Sequence, residues 1–588
     1  MTLLELIAGF ARRHWRAYAA ASAMLVGIAV LTVYVPRRVG HLIDGLVAGE
    51  ATGDALWREI AILVAMGLTI YVLRVGWRLA LFSAAFRLGV ELRGQLYARL
   101  ALQGPPFFHR QRTGDLMARA TNDVDAVEMA AGEAFLAAFD GTLTLVLVVA
   151  MMTLAIDWRL GLVALLPFPF MAWAFFTISR HVHEAWRASL ERFSDLNEHV
   201  QETVAAVRTL RALGLEANAD REFGVRAQRA ADAGYDAQKW ESAFEPAVGL
   251  TLTAAGALTL GVGGALVWRG EMTVGQLTAF TMYLTQLIWP MFAAGWVLSL
   301  VERGKAAWAR LLPLLNAPLS VADAGTVAAA PAGTLRCTRV TFAYPVAPDA
   351  NGAAERPPAL VDVDFELRAG ETLGVVGPTG AGKSTLLALL LRHYAPQAGT
   401  LAWGAHPVAA YTLAALRGAI AWVPQEPFLF SASVADNIAL ARADATREDV
   451  ERVARMADLA ADIARLPDGY GTRVGERGVT LSGGQRQRVA IARALLADAP
   501  LLLIDDALSA VDTGTEARIL AELRRARAGR TAIIVSHRLS AVADADRILV
   551  LKGGRVVEQG THAALVAQDG WYAAQWRYQQ LEASLADA

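Results

Sequence analysis

The chain has 588 residues, enough for two or more domains, and its 55 Lys and Arg nearly balance 56 Asp and Glu, for a formal net charge of −1. That balance gives no bulk basic character, so nucleic acid is excluded as an expected partner. The sole cysteine, Cys337, rules out an internal disulfide and a cysteine-based metal cluster and fits a reducing compartment, while no histidine sits at zinc-ligand spacing.

Hydrophobic residues make up 55% of the chain, and nearly all of the excess lies before residue 301. Six stretches there are long enough to cross a bilayer, which takes about 20 apolar residues. They are Ala17–Val35, Ile60–Phe82, Phe135–Ile156, Leu160–Ile178, Ala247–Val267 and Leu277–Leu300. Only Asp157-Trp158-Arg159 joins the third to the fourth, a tight hairpin. The first run exceeds the ~7–15 residues of a signal-peptide core, so no cleavable signal is expected. Arg12, Arg13 and Arg16 precede the first span. Many further basic residues, from Arg87 to Arg119 and from Arg180 to Lys239, fill the two long segments after spans two and four. The positive-inside rule places the N-terminus and both segments in the cytoplasm, to which six spans return the chain near Glu302.

Arg74 and Arg78 stand four apart in the second span and share a helix face. They are read as lying toward the cytoplasmic end, where they snorkel or pair. The other reading is contact with an anionic substrate or lipid headgroup inside a cavity. Trp173, Trp289 and Trp296 suit a greasy cavity, but interfacial anchoring accounts for most of the tryptophan.

Residues 314–333 are rich in Ala, Pro and Gly and read as a linker. After them short β-branched runs alternate with helix-like runs, the pattern of an α/β domain. A second loop-like insert runs from Pro345 to Pro358.

The apolar run Thr372 to Val376 leads into Gly377-Pro378-Thr379-Gly380-Ala381-Gly382-Lys383-Ser384-Thr385, which fits the phosphate-binding loop G-x-x-x-x-G-K-[ST] in full, and a helix-like run follows. Glycines let successive N–H groups turn inward to cradle phosphate oxygens, and the helix N-terminus favours negative charge. Lys383 reaches the β- and γ-phosphates and Ser384 holds Mg²⁺. Further on, Leu501-Leu502-Leu503-Ile504 runs into Asp505-Asp506. A buried strand ending in a carboxylate holds the metal in such nucleotidases, so Asp505 is the metal-side residue, and Asp506 stands where a base would polarise the attacking water.

Leu481-Ser482-Gly483-Gly484-Gln485 ends 20 positions before Asp505 and opens a helical stretch. Together with the motifs above it closely resembles the signature of ATP-binding-cassette (ABC) transporters. The resemblance implies that Ser482, Gly483, Gly484 and Gln485 bind the γ-phosphate of ATP held by another subunit's phosphate loop. It further implies that Tyr344 stacks on adenine, that Gln425 touches Mg²⁺ and relays to the membrane half, and that His537 is the switch residue near the γ-phosphate. Thr472 to Gly478 resembles the exporter-specific loop, and Ser509-Ala510-Val511-Asp512 the loop across the cassette dimer interface. Arg112-Thr113-Gly114-Asp115-Leu116 with Thr121-Asn122-Asp123-Val124 is similar to the first cytoplasmic loop of type IV exporters, with one coupling helix expected after Asn122 and a second near Leu213–Phe223.

The resemblance covers nearly the whole chain and is nearest to the bacterial multidrug-resistance-like (Mdl-type) half-transporters. It implies a six-helix transmembrane bundle (1–313), a linker (314–333) and an α/β P-loop nucleotide-binding domain of ABC type (334–588) in the bacterial inner membrane, with ATP and Mg²⁺ as cofactors. It implies export of hydrophobic or amphipathic compounds, with a lipid-flippase homodimer and a nucleotide-sensing regulatory subunit as rivals. Active cassettes of the family carry Glu where this chain has Asp506, a side chain about 1.5 Å shorter in reach. Since an error of about 1 Å in a catalytic group can cost roughly 100-fold, a slow, degenerate site is expected. That expectation points to a heterodimer in which the intact signature serves a second half-transporter.

Overall fold

A computed structural model describes residues 1–50, 52–345, 357–475, 481–507, 513–526 and 529–586. Part of one expected loop, Glu476-Arg477-Gly478, and the whole of another, Ser509-Ala510-Val511-Asp512, lie outside the described residues, as does most of the Pro345–Pro358 insert. The chain divides into two units, one of residues 1–100 and 114–317 and the other of 101–113 and 318–588.

In the first unit six helices among the described residues are long and apolar enough to span a bilayer: Trp15–Val47, Asp54–Ala101, Thr113–Ile156, Trp158–Ala205, Glu216–Trp268 and Val274–Leu315. Each contains one of the six expected stretches, and most run well past it, because amphipathic and charged turns continue the same helix beyond the apolar part. No break follows Asn122. The chain passes through a π-helical turn, Arg119–Asp123, directly into the helix Val124–Ala150. A separate short helix occurs instead at Pro105–Phe108, within the segment that belongs to the second unit. The other expected position does hold a break: the helix Val207–Leu213 stops at Gly214, and the next begins at Glu216.

Several polar groups buried in this unit are paired across helices, as a low-dielectric setting favours. Pro36 lies inside the first span and has no N–H to offer the carbonyl of Thr32. Gln286 Nε2 donates to that carbonyl at 3.2 Å. The fully buried Tyr283 donates its hydroxyl to the Val33 carbonyl at 2.6 Å. The first and sixth spans meet where Gly40 faces Gly275: a methyl on Gly275 would come within 2.0 Å of the Gly40 carbonyl oxygen. Small residues permit such close approach of membrane helices. Beside them Asp44 accepts from the Gly275 N–H at 2.7 Å and the Thr273 hydroxyl at 2.6 Å, tying down the start of the sixth span. Nearer the other end, Arg310 grips Asp123 with two hydrogen bonds of 3.0 and 2.6 Å.

The second unit is built on two sheets. One is antiparallel with strand order β2-β1-β4-β5, formed by β1 (Leu335–Phe342), β2 (Leu360–Leu367), β4 (Ala398–Trp403) and β5 (His406–Pro407). The other has order β10-β9-β3-β8-β7-β6, formed by β3 (Thr372–Val376), β6 (Ile420–Val423), β7 (Leu501–Asp505), β8 (Thr531–Val535), β9 (Arg547–Lys552) and β10 (Arg555–Gly560). All its pairings are parallel except β9–β10. The strand residues Leu501 to Ile504 are continuously apolar because the sheet is covered on both faces. Leu502 and Ile504 enter one core while Leu501 and Leu503 enter the other.

Candidate functional site: a phosphate-binding cavity at the carboxyl ends of parallel strands

Four parallel strands, β3, β8, β7 and β6, end on one edge of the sheet, and ligands of open α/β sheets bind outside such carboxyl ends. The register sets Val375 beside Val535, Val535 beside Asp505, and Ile504 beside Val423. The residues just after these positions therefore converge although they lie far apart in sequence. A cavity of 350 Å³ opens there. Its walls include Thr379 to Thr385 from the loop after β3, Gln425 after β6, Asp505 and Asp506 at the end of β7, and His537 after β8.

The loop has the backbone that a phosphate cradle needs. Gly382 has φ +99°, and a methyl there would lie 2.4 Å from the Ala359 carbonyl oxygen. Gly380 has φ +79° with open space in front of it. The helix Lys383–Leu390 starts at once, aiming its free N–H groups back at the loop. Lys383 Nζ donates to the carbonyls of Gly377 and Pro378 at 2.9 and 3.0 Å, so the ammonium is folded over its own loop. Gly377 and Pro378 shape the loop without lining the cavity.

Ser384 donates its hydroxyl to Asp505 Oδ1 at 3.0 Å. Asp505 is 6% exposed. Burial pushes its carboxyl above the usual range, the Ser384 hydrogen bond and Lys383 pull it down, and Asp506 pushes it up. Burial likewise lowers the Lys383 ammonium, against the opposing pull of Asp506 and Asp505. Each shift marks a charge held short of water, and a bound anion beside Lys383 and a cation beside Asp505 would relieve both. A hydroxyl, a carboxylate and the Gln425 amide are hard oxygen donors, few in number, so they fit Mg²⁺ that keeps waters and phosphate oxygens as its other ligands. Among the described residues no cluster of three His, Cys, Asp or Glu side chains could hold a metal alone.

Asp506 adopts φ +47°, an uncommon conformation for a side-chain-bearing residue. Its N–H bonds to the Val535 carbonyl at 2.8 Å, and its Oδ1 lies 2.6 Å from His537 Nδ1. Tyr344 also lines the cavity. Its hydroxyl shares a 3.0 Å hydrogen bond with the Thr385 hydroxyl, and its ring stands edge-on to that of Tyr394 at 5.1 Å.

Ser482, Gly483, Gly484 and Gln485 do not line this cavity. They cap the helix Gly483–Ala497: Ser482 Oγ accepts from the Gln485 N–H at 3.2 Å, and Gln485 Oε1 accepts from the Ser482 N–H at 3.0 Å.

Three contributors carry no motif. Asp546 accepts from the Thr372 N–H at 2.8 Å and fixes the start of β3. Gln579, on the C-terminal helix, donates to the His537 carbonyl at 2.7 Å and accepts from the Leu539 N–H at 2.8 Å. Buried Glu516 pairs with Arg538 next to His537. No spacing in the sequence announces them, because each acts through a contact made only when the chain is folded.

Residues 20–291 match the ABC transporter transmembrane region family, and residues 360–509 match the ABC transporter family. The chain is 43% identical to the Multidrug resistance-like ATP-binding protein MdlA of Escherichia coli, over 100% of this chain and 98% of that one. It is 32% identical to an ATP-dependent lipid A-core flippase of Chromobacterium violaceum, over 96% and 95%. Among solved structures it is similar to a bacterial Atm1-family ABC exporter with ATP bound, with a TM-score of 0.79 and 29% identity, covering 96% of this chain and 99% of that one. Spans, cassette and kinship together establish the chain as a member of the ABC transporter family, a multi-pass membrane exporter of multidrug-resistance-like type whose cassette binds ATP and couples its hydrolysis to transport.

Proposed function

We propose that this chain is one half of a heterodimeric exporter that moves hydrophobic or amphipathic compounds out of the cytoplasm or inner leaflet, and that its own ATP site is the slow one of the pair. In this reading residues 1–313 form the translocation path, 314–333 the linker and 334–588 the cytoplasmic motor, in a bacterial inner membrane with the N-terminus inside. The observation that carries it is Asp506, one methylene shorter than the glutamate of active cassettes and drawn against His537 at 2.6 Å.

The residues divide the work as follows. Tyr344 stacks on adenine. The loop N–H groups from Gly377 to Thr385 cradle the phosphates, and Lys383 leaves the Gly377 and Pro378 carbonyls to pair with them. Ser384, Asp505 and Gln425 hold Mg²⁺, which when bound neutralises charge on the β- and γ-phosphate oxygens. Asp506 accepts a proton from the attacking water and His537 orients it, but from too far back for brisk turnover. Ser482, Gly483, Gly484 and Gln485 complete the other half-transporter's site, where the helix N-terminus meets the γ-phosphate.

ATP turnover of the purified chain alone, compared with the chain co-expressed with a candidate second half-transporter, tests the reading. Slow turnover alone and fast turnover together are expected. Brisk hydrolysis by a homodimer of this chain overturns it. The kinship to lipid A-core flippases favours a second reading, a lipid-flipping homodimer, which that same homodimer activity would support.

A further inference from the structure

Within the membrane unit the first, second, third and sixth spans line a cavity of 440 Å³, to which the second contributes Arg74 and Arg78 and the third Glu133 and Asp140. A neighbouring cavity of 580 Å³ shares Arg74, Asp140 and Trp289 with it and reaches Gln286. The two adjoin along these shared residues. No ion pair joins Arg74 or Arg78 to a described carboxylate, although acids stand in the same recess. Both arginines line this cavity, the setting that the second sequence reading gave them. Arg78 lies over the Trp77 ring at 5.7 Å, which leaves its donors free.

The acidic side is prepared differently. Asp140 Oδ2 accepts from the Trp289 indole N–H at 2.9 Å, and Trp289 stands edge-on to Trp296 at 6.2 Å. Gln286 spends its amide N–H on the carbonyl that Pro36 leaves free, and its Oε1 is buried with no hydrogen-bond partner among the described residues. A buried acceptor without a donor is costly, so this oxygen, in the recess that Asp140 and Trp289 also line, asks for an N–H donor from a ligand. Arg74, near enough for its charge to act on Asp140, and Arg78 stand four residues apart on the cavity wall and suit an oxyanion. Within the apolar stretch Ile60–Phe82, Arg74 lies about 21 Å from the outer end and about 12 Å from the cytoplasmic end.

We infer that this recess is a substrate site for zwitterionic amphiphiles: the acidic group of the ligand lies on Arg74 and Arg78, its ammonium group lies on Asp140, Glu133 and the Gln286 carbonyl, and its apolar body lies against the tryptophans. The inference rests on the exporter reading above and names the class of compound that exporter carries. A lyso-phospholipid with an ethanolamine head and an aromatic amino-acid-like drug both present this chemistry.

The test measures dissociation constants on the full-length chain in nanodiscs for three probes with the same sixteen-carbon tail: lysophosphatidylethanolamine, lysophosphatidic acid and hexadecylamine. The zwitterion should bind at least about tenfold tighter than either single-charge probe. Arg74→Gln with Arg78→Gln should weaken the zwitterion and the anion about tenfold and spare the amine. Asp140→Asn should weaken the zwitterion and the amine and spare the anion. Arg74→Lys with Arg78→Lys keeps the charge and should retain most of the binding, which separates loss of the site from loss of the fold. Ciprofloxacin, run alongside, identifies the source: preference for the lipid points to a flippase, preference for the drug to a multidrug pump. Equal affinity for the three probes, or a ranking that neither substitution set changes, overturns the inference. If a hydrophobic dye still stimulates ATP hydrolysis while that ranking is flat, the exporter reading stands and this one alone falls.

Discussion

Asp506 Oδ1 and His537 Nδ1 lie 2.6 Å apart, joined across the ends of β7 and β8, which are neighbours in the sheet. The histidine is thereby engaged with the carboxylate before any nucleotide is considered. The backbone of Asp506, held at φ +47° by its N–H bond to Val535, fixes where the carboxylate starts, so its reach depends on side-chain length alone.

Asp506→Glu therefore moves the carboxylate about 1.5 Å outward. Steady-state ATP hydrolysis by the purified chain should rise, by up to about 100-fold if distance is the whole defect. Asp506→Asn should abolish the remaining turnover. Unchanged rates for the glutamate variant would show that reach is not what limits this site.

Gly275→Ala drives a methyl to 2.0 Å from the Gly40 carbonyl oxygen and 2.5 Å from Asp44 Cγ, both on the first span. Backbone cannot yield as a flexible side chain can, so the two helices must part and the Asp44 cap opens. A loss of about 1–3 kcal/mol is expected, seen as a lower melting temperature in detergent. Gly67→Ala, with nothing within 4 Å of the added methyl, is the matched control and should be close to neutral.

Cys337 should resist thiol reagents while the cassette is folded. It is 2% exposed, its Sγ donates to the Val363 carbonyl at 3.3 Å, and burial, with Asp364 nearby, pushes the thiol up to about 12. Only the thiolate reacts, so maleimide labelling at pH 7.5 should be more than about 100-fold slower than in denaturant. Because the folded thiol ionises later than the unfolded one, this stabilisation is complete below about pH 9 and is lost as pH rises from 9 toward 12.

His393 works in the opposite direction. Burial, reinforced by Arg417, lowers its imidazole to about 4 from an ordinary 6.5. The unfolded chain therefore takes up a proton that the folded chain refuses. Stability linked to this residue is full above pH 6.5 and falls away between 6.5 and 4. After allowance for solvent screening the loss is about 1–2 kcal/mol. Melting curves at pH 7.5 and 5.0 should show a smaller acid-induced drop in His393→Gln than in the parent.

Much of the molecule was legible from residue order. Six runs of about twenty apolar residues have no other low-energy home than a bilayer, and a strand, a glycine loop and Lys383-Ser384 in succession have few uses besides phosphate. These are local patterns, and local physics decides them. The separate coupling helix expected after Asn122 came from the resemblance alone, and there the chain instead runs on without a break into Val124–Ala150.

What only the folded chain decided are the meetings of distant residues. Parallel pairing of β3, β8, β7 and β6 brings Lys383, Asp505, Asp506 and His537 to one cavity, and the sequence ordered them without saying how close they would come. Arg74 and Arg78 looked alike as interfacial or cavity residues until Glu133, Asp140 and Gln286 were placed around them. Period and composition report what a segment does with solvent, whereas the partner of a buried charge or an orphaned carbonyl, such as that of Thr32, is chosen by packing between segments that the sequence keeps hundreds of residues apart.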